Sequence, residues 1–329
     1  MRVLLTGATG FVGYNLVPAL KQQGYEIVCL IRRTSNTTLL EELGGVEYAV
    51  GELKDPASLR TALDGVDAVV HLAGAVKAVR RADYFAVNTE GTRNLVEAVR
   101  DVRPGLKRFV YVSSLAAGGP TRPGAPRNEQ DEDRPVTHYG HSKKAAEDVV
   151  LGYREEIPSV ILRPAAVYGP ADVALLGFFR STSRGWRARF LWRDLSLSMV
   201  YAEDLAGAVV RALVSQLPSG DLFYVSDGRE YRLDEVQEEI GTALGFSTRS
   251  VPLPRSLLFP VAAVSEVGIR LSGRARFLNW QKIVEAVQPA WTCSPQKLET
   301  RTGFRPRYDL ADGARATADW YRSRGWLPR

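Results

Sequence analysis

Tyr139-Gly140-His141-Ser142-Lys143 sets a phenol and an ammonium four residues apart, and the chain opens with Thr6-Gly7-Ala8-Thr9-Gly10-Phe11-Val12-Gly13 soon after its first residue. Residues i and i+4 share one face of a helix, so Lys143 is expected beside Tyr139, where a cation favours the phenolate and lowers the phenol's pKa. A tyrosine tuned in this way serves as a general acid and base near neutral pH. Gly7, Gly10 and Gly13 follow an apolar run and open a helical pattern. In that context backbone N–H groups and a helix N-terminus receive a pyrophosphate. Together the two segments imply hydride transfer between a dinucleotide and a carbonyl.

Ser113-Ser114 adds a third group. It ends a predicted strand, and ligands of open α/β sheets bind at the carboxyl ends of strands. Ser114 is the expected hydroxyl for the reacting oxygen. Alone, a serine pair after a strand is more often turn chemistry, and a Tyr and Lys four apart are usually solvated; it is their company that makes a candidate site. About twenty residues past the glycine turn, an NAD enzyme presents a carboxylate to the ribose 2′-hydroxyl. Here the chain reads Ile31-Arg32-Arg33-Thr34. Guanidinium groups match a 2′-phosphate bidentately, so NADP is expected in preference to NAD, with Arg32 as the contact.

The elements that must carry these groups follow from periodicity. Short apolar runs alternate with helix-patterned segments through the first half, as in right-handed βαβ units of a parallel sheet. Strands are expected over Val3–Thr6, Glu26–Ile31, Glu47–Gly51, Ala68–Leu72, Arg108–Ser113 and Val160–Arg163, with helices over Gly13–Gln23, Ser58–Leu63, Phe85–Val102 and His141–Tyr153. That is an α/β, doubly wound parallel sheet. Gly118–Pro135, rich in proline and glycine, reads as a long loop and a candidate substrate rim. Past Gly169 the alternation weakens: Ala171–Leu197 looks irregular and Arg-rich, Ala202–Val214 helical, Asp221–Ser226 a strand and Arg232–Leu244 helical. The expected division is a dinucleotide domain at 1–170, to which 198–226 returns, and a smaller interleaved α/β substrate lobe at 171–197 and 227–329.

The chain has 329 residues, 45% of them hydrophobic, enough for a substantial core. Lys and Arg number 43 against 37 Asp and Glu, a net +6 spread along the chain, which suits an anionic small ligand. No basic tract with interleaved aromatics argues for nucleic acid. Cys29 and Cys293 make neither a disulfide framework nor a metal-ligand spacing, so no metal is expected. With a strand beginning at Arg2 in place of a signal peptide, the expected location is cytoplasmic. Leu257–Leu271 is the most apolar stretch, but Pro260, Glu266 and Arg270 interrupt it, so it reads as a core or lid helix rather than a membrane span, with membrane-surface contact by a lipophilic-substrate enzyme as the alternative. Trp186, Trp192, Trp280 and Trp291 are read mainly as core, with an apolar substrate pocket as the alternative.

Beyond these segments, His71-Leu72-Ala73-Gly74, Asn88 with Gly91-Thr92, and Arg163-Pro164 through Val167-Tyr168-Gly169-Pro170 occur in order. They are followed by Val200 to Leu205, Tyr224 to Gly228, Gly303-Phe304-Arg305-Pro306 and Trp320-Tyr321. The set resembles the extended short-chain dehydrogenase/reductases, a Rossmann-fold family that includes NAD-dependent epimerase/dehydratases, dihydroflavonol reductases and 3β-hydroxysteroid dehydrogenases. The resemblance spans nearly the whole chain and is closest to the last two branches. It implies Tyr139 as acid/base, Lys143 as its partner and ribose anchor, and Ser114 as oxyanion donor. It further implies cofactor contacts from Gly7, Thr9, Gly10, Phe11, Val12 and Gly13, from Glu52 and Leu53 near the adenine, from Leu72, Ala73 and Gly74 by backbone, and from Pro164 and Val167 beside the nicotinamide. Glu52 replaces the family's usual Asp, while His71 and Asn88 are expected to be structural. A homodimer through the helices at Phe85–Val102 and His141–Tyr153 is the family's habit.

The family's 4,6-dehydratases carry Asp-Glu directly after the catalytic hydroxyl residue; here Leu115-Ala116 follow Ser114. Its nucleotide-sugar epimerases commonly carry an Asn where this chain has Ala166. The expectation is therefore an NAD(P)(H)-dependent oxidoreductase interconverting a ketone and a secondary alcohol on a small-molecule substrate. The alternative is a nucleotide-sugar epimerase using transient oxidation, with Arg184, Arg187 and Arg189 as a diphosphate clamp. A third reading, a cofactor-sensing scaffold without catalysis, would be expected to lack one of Ser114, Tyr139 and Lys143, all of which are kept.

Overall fold

In the computed structural model, residues 1–190, 195–254 and 280–328 are described. Six strands, β1 (Arg2–Thr6), β2 (Glu26–Ile31), β3 (Glu47–Val50), β4 (Ala68–His71), β5 (Arg108–Val112) and β6 (Ser159–Pro164), are joined by the strand Asp221–Val225 in one sheet. Their order is β3-β2-β1-β4-β5-β6 followed by Asp221–Val225, and every pairing is parallel. The order reverses between β1 and β4, opening a crevice beyond their carboxyl ends where a dinucleotide binds in doubly wound sheets.

Side-chain alternation decides which helix lies on which face. Val3 and Leu5 of β1 point into a core with Leu16 and Leu20 of α1 (Phe11–Gln22) and Leu205 and Val209 of the helix Ala202–Val214. Leu4 points the other way, into a core with Leu59, Leu95, Val99, Ala146 and Val150. These belong to the helices Pro56–Ala62, Gly91–Val102 and His138–Gly152, so the sheet is covered on both sides. A third core gathers Tyr168, Phe179, Tyr201, Tyr231, Ile240 and Tyr321 outside the sheet.

Several elements depart from the periodicity reading. Short helices at Thr38–Leu43 and Leu115–Gly118 were not anticipated, being only one or two turns long. The expected helix Phe85–Val102 is interrupted: Arg81–Phe85 passes through a π-helical turn, Ala86–Glu90, into Gly91–Val102. The stretch read as irregular, Ala171–Leu197, holds the helix Leu176–Thr182 and the strands Trp186–Phe190 and Ser196–Leu197. Gly177 and Gly185 punctuate these pieces and hid them from a pattern search. The Leu257–Leu271 stretch and Trp192 lie outside the described residues. Trp186 and Trp280 are about half exposed rather than core, whereas Trp291 is partly buried and donates its indole N–H to the Glu285 carbonyl at 3.0 Å. Among the described residues no helix is long and apolar enough to cross a membrane.

The Gly118–Pro135 loop is tied down by backbone. Thr121 N–H donates to the Ala290 carbonyl at 2.8 Å, Arg127 N–H to that of Thr292 at 3.0 Å, and Ser294 N–H to that of Arg127 at 2.9 Å. One end of the loop therefore pairs with a segment roughly half the chain away.

Candidate active site

The glycine turn lies between β1 and α1 and is shaped by close approach. Gly7 has φ of +75°, and a Cβ there would sit 2.7 Å from the Ala73 nitrogen. A Cβ on Gly13 would lie 2.5 Å from the Gly7 carbonyl oxygen. Both side chains are excluded, so the turn packs directly against Leu72 and Ala73 at the end of β4. Gly10 is the N-cap of α1 and supplies no side-chain cap, which leaves the first-turn N–H groups of Phe11, Val12 and Gly13 available to an anion. The residues present therefore fit a dinucleotide pyrophosphate. Thr9, beside this turn, is partly buried.

The remaining candidates fall along the same crest. Arg32 and Arg33 follow β2, are exposed, and have no carboxylate partner among the described residues. Glu52 follows β3 and pairs with Lys54 at 3.0 Å, while Leu53 packs against Gly91. Ala73 N–H donates to Thr6 Oγ1 at 3.2 Å, and Gly74 sits close to both Asn88 Oδ1 and Lys143 Nζ. Pro164 is the last residue of β6, with Val167 in the following strand, Ala166–Tyr168.

Ser114 caps the one-turn helix after β5, its hydroxyl accepting from Ala116 N–H at 3.2 Å. Tyr139 and Lys143 lie on the first two turns of the helix His138–Gly152, whose N-cap Thr137 accepts from Gly140 N–H at 3.1 Å. A Cβ on Gly140 would sit 2.4 Å from the Ala116 carbonyl oxygen, so glycine lets the first turn of this helix touch the Ser114 cap. That is the physical role of the glycine inside Tyr139-Gly140-His141-Ser142-Lys143, and the spacing alone did not disclose it.

The electrostatics differ from the sequence expectation. Burial pushes the Tyr139 phenol up to about 12, opposed by a side-chain hydrogen bond from Ser114. Lys143 makes its contacts elsewhere. Its Nζ donates to the Val112 carbonyl at 2.8 Å and stands 4.4 Å from the Tyr111 ring centroid. Desolvation brings Lys143 down to about 7, with Glu147 one turn on opposing that fall.

Two surrounding devices were not assigned a job by the sequence. Asn88, in the π-helical turn, accepts from Ala75 N–H at 2.6 Å and donates to the Ala75 carbonyl at 3.1 Å and to Ser142 Oγ at 2.8 Å. It joins the loop after β4 to the helix that carries Lys143. Arg163 is almost fully buried: Nε donates to Glu147 at 2.9 Å, Nη2 to Asp133 at 2.7 Å, and Nη1 to Tyr224 OH at 2.9 Å. This cation fastens the long loop, the Lys143 helix and two strands together. His71, as expected, is structural: it contacts Thr6 Oγ1 at 2.6 Å and Thr92 Oγ1 at 2.9 Å. Of the three arginines read as a diphosphate clamp, Arg187 is paired with Glu238, Arg184 is exposed, and the Arg189 side chain lies outside the described residues.

A crevice at the switch point of a parallel sheet, with hydroxyl, phenol and ammonium groups at the end of β5, defines a nucleotide-dependent class of enzyme. The family model for the NAD dependent epimerase/dehydratase family matches residues 3–225, and the chain belongs to that family. It is similar to a ceramide reductase of Caulobacter vibrioides, 32% identical over 99% of this chain and 96% of that protein. It is also similar to a UDP-glucose 4-epimerase of Vibrio cholerae, 31% identical over 77% of this chain and 78% of that protein. The crystal structure of a Thermus thermophilus UDP-glucose 4-epimerase in complex with NAD superposes with a TM-score of 0.78 at 25% identity, covering 98% of this chain and 99% of that one. The protein is an NAD-dependent type of enzyme, and a reductase and a sugar-nucleotide epimerase are among its relatives.

Proposed function

We propose that the protein is a reductase or dehydrogenase acting on a ketone and secondary alcohol pair, with Ser114, Tyr139 and Lys143 as its catalytic residues. A bound nicotinamide dinucleotide supplies or accepts the hydride. Ser114 orients the substrate oxygen, and Tyr139 gives it a proton in the reducing direction and removes one in the oxidising direction. Lys143, buried and with its pKa lowered by desolvation to about 7, anchors the ribose. The approach of the Ser114 cap to the Tyr139 turn carries this reading. Elimination of water lacks support, since Leu115 is buried and Ala116 is spent on backbone contacts.

NADP(H) is favoured over NAD(H) by the two unpaired guanidinium groups after β2. Residues 1–170 with 198–226 form the dinucleotide part of this reading, and 171–197 with 227–329 the substrate lobe. The 96% coverage of the ceramide reductase favours a lipophilic substrate. Both cysteines are buried and unpaired, which suits the cytoplasm, and a homodimer through the helices Gly91–Val102 and His138–Gly152 completes the proposal. Tyr139→Phe is expected to lower kcat about a hundredfold or more with the cofactor KM little changed. Near-normal turnover of that variant would overturn the assignment. The similarity to the Vibrio epimerase supports epimerisation as the second reading, which predicts product without net change in the reduced-nicotinamide absorbance.

A further inference from the structure

The loop after β4 reads Ala75-Val76-Lys77-Ala78-Val79-Arg80-Arg81, and its polarity is inverted relative to a normal surface loop. Val76 is 64% exposed and Val79 40% exposed, while Lys77, Arg80 and Arg81 are exposed and have no carboxylate partner among the described residues. The nearest acid in sequence, Asp83, accepts from the Arg80 backbone N–H at 3.1 Å. The Arg81 guanidinium lies 5.3 Å from the Phe85 ring centroid. Aliphatic side chains alternating with cations that lack a carboxylate partner are the pattern of a surface that enters an anionic lipid headgroup layer, with the aliphatics reaching the acyl boundary and the cations meeting phosphates.

The loop belongs to the rim of the candidate site. Tyr84, in the helix that the loop enters, lies 6.4 Å from Tyr139 between ring centroids, and Arg81 acts electrostatically on His138, the neighbour of Tyr139. His138 N–H in turn donates to Gln281 Oε1 at 2.7 Å. Val136, just before this helix, is also exposed. Isolated exposed aliphatics are ordinary, but a run of them at a site mouth, beside cations without carboxylate partners, is not.

We infer that this rim, with Val76 and Val79 as its apolar contacts and Lys77, Arg80 and Arg81 as its charges, docks the enzyme on an anionic phospholipid surface. The site mouth then faces the bilayer, from which an amphiphilic ketone or alcohol enters directly. The entry step rests on the reductase reading above; the docking step does not.

Docking is tested by sedimenting the purified full chain, without cofactor or substrate, with phosphatidylcholine vesicles that contain or lack phosphatidylglycerol. Binding is expected only with phosphatidylglycerol and is expected to weaken as salt is raised. Reversing Lys77, Arg80 and Arg81 to Glu is expected to weaken it by at least about fivefold per position, and Val76→Asp with Val79→Asp by about tenfold. Both variants should turn over a water-soluble ketone within about twofold of the parent, which shows that they are folded and that the reaction is separate from docking. Absence of vesicle binding, equal binding to both vesicle types, or variants that bind as well as the parent would overturn the inference. So would a concentration-dependent dimer abolished by the valine changes, since a second copy would then be the occupant.

Discussion

His71 shows how much a single buried group records about its surroundings. It is fully enclosed between Thr6 and Thr92, and burial together with the Lys143 charge brings its pKa from 6.5 down to about 3. The unfolded chain takes up its proton near 6.5, whereas the folded chain resists until about 3. Within that window the unfolded state holds more protons, so stability is complete above 6.5 and is lost as pH falls. Chemical denaturation between those values is expected to show a contribution near 1.4 kcal/mol per pH unit from this residue. His71→Gln, which cannot titrate, should flatten that dependence; an unchanged slope would show that other groups govern it. The same scale explains the missed behaviour of Tyr139. Spacing on a helix correctly predicts that Lys143 shares its face, but not that the Val112 carbonyl and Tyr111 ring capture the ammonium.

At the scale of elements, the Arg163 guanidinium is the fastening between three separate pieces of chain. Arg163→Met would leave Glu147, which is 1% exposed, without its cation, and would free Asp133 and the loop that bears it. The expected loss is about 3–5 kcal/mol in unfolding free energy. A change below about 1 kcal/mol, the value of an ordinary surface pair, would show that the network is dispensable. Elements of this kind differ in how plainly they are written. The strands of the large sheet and the helix Phe11–Gln22 were readable because sheet faces and helix faces impose periods of two and 3.6 over many residues. The turn Leu115–Gly118 is too short to carry any period, and the π-turn at Ala86–Glu90 keeps the apolar spacing of the helix around it while shifting Asn88 into its bonds with Ala75 and Ser142.

For the whole molecule, the crest of the sheet collects residues from the ends of β1 to β6, so cofactor affinity is a property of the assembled fold and raises its stability. A ligand at about 100 times its Kd adds about 2.7 kcal/mol. NADPH is therefore expected to raise Tm more than NADH at equal concentration, and Arg32→Ala to remove the difference. A larger shift with NADH would refute the arginine argument. The dinucleotide half was the more legible because its motifs are local, each a strand end with its adjoining turn. The substrate side was less so: its core of Tyr168, Tyr201, Tyr231 and Tyr321 is assembled from distant segments, and its signals of composition are those of any apolar cluster.

The pairing of Thr121 with Thr292, at 2.8 Å between hydroxyl oxygens, has a temporal meaning. During synthesis every strand of the large sheet has emerged once residue 225 leaves the ribosome, but the Gly118–Pro135 rim still lacks its partner. Until 290–294 arrive, dozens of residues later, the Thr121–Arg127 part of that rim lacks its backbone partner, and the loop is held only through contacts such as Asp133 with Arg163 and Glu129 with the Tyr224 N–H. A nascent chain halted before that point would offer the cell a nearly finished cofactor pocket with an open flank, a stage at which chaperone protection matters most.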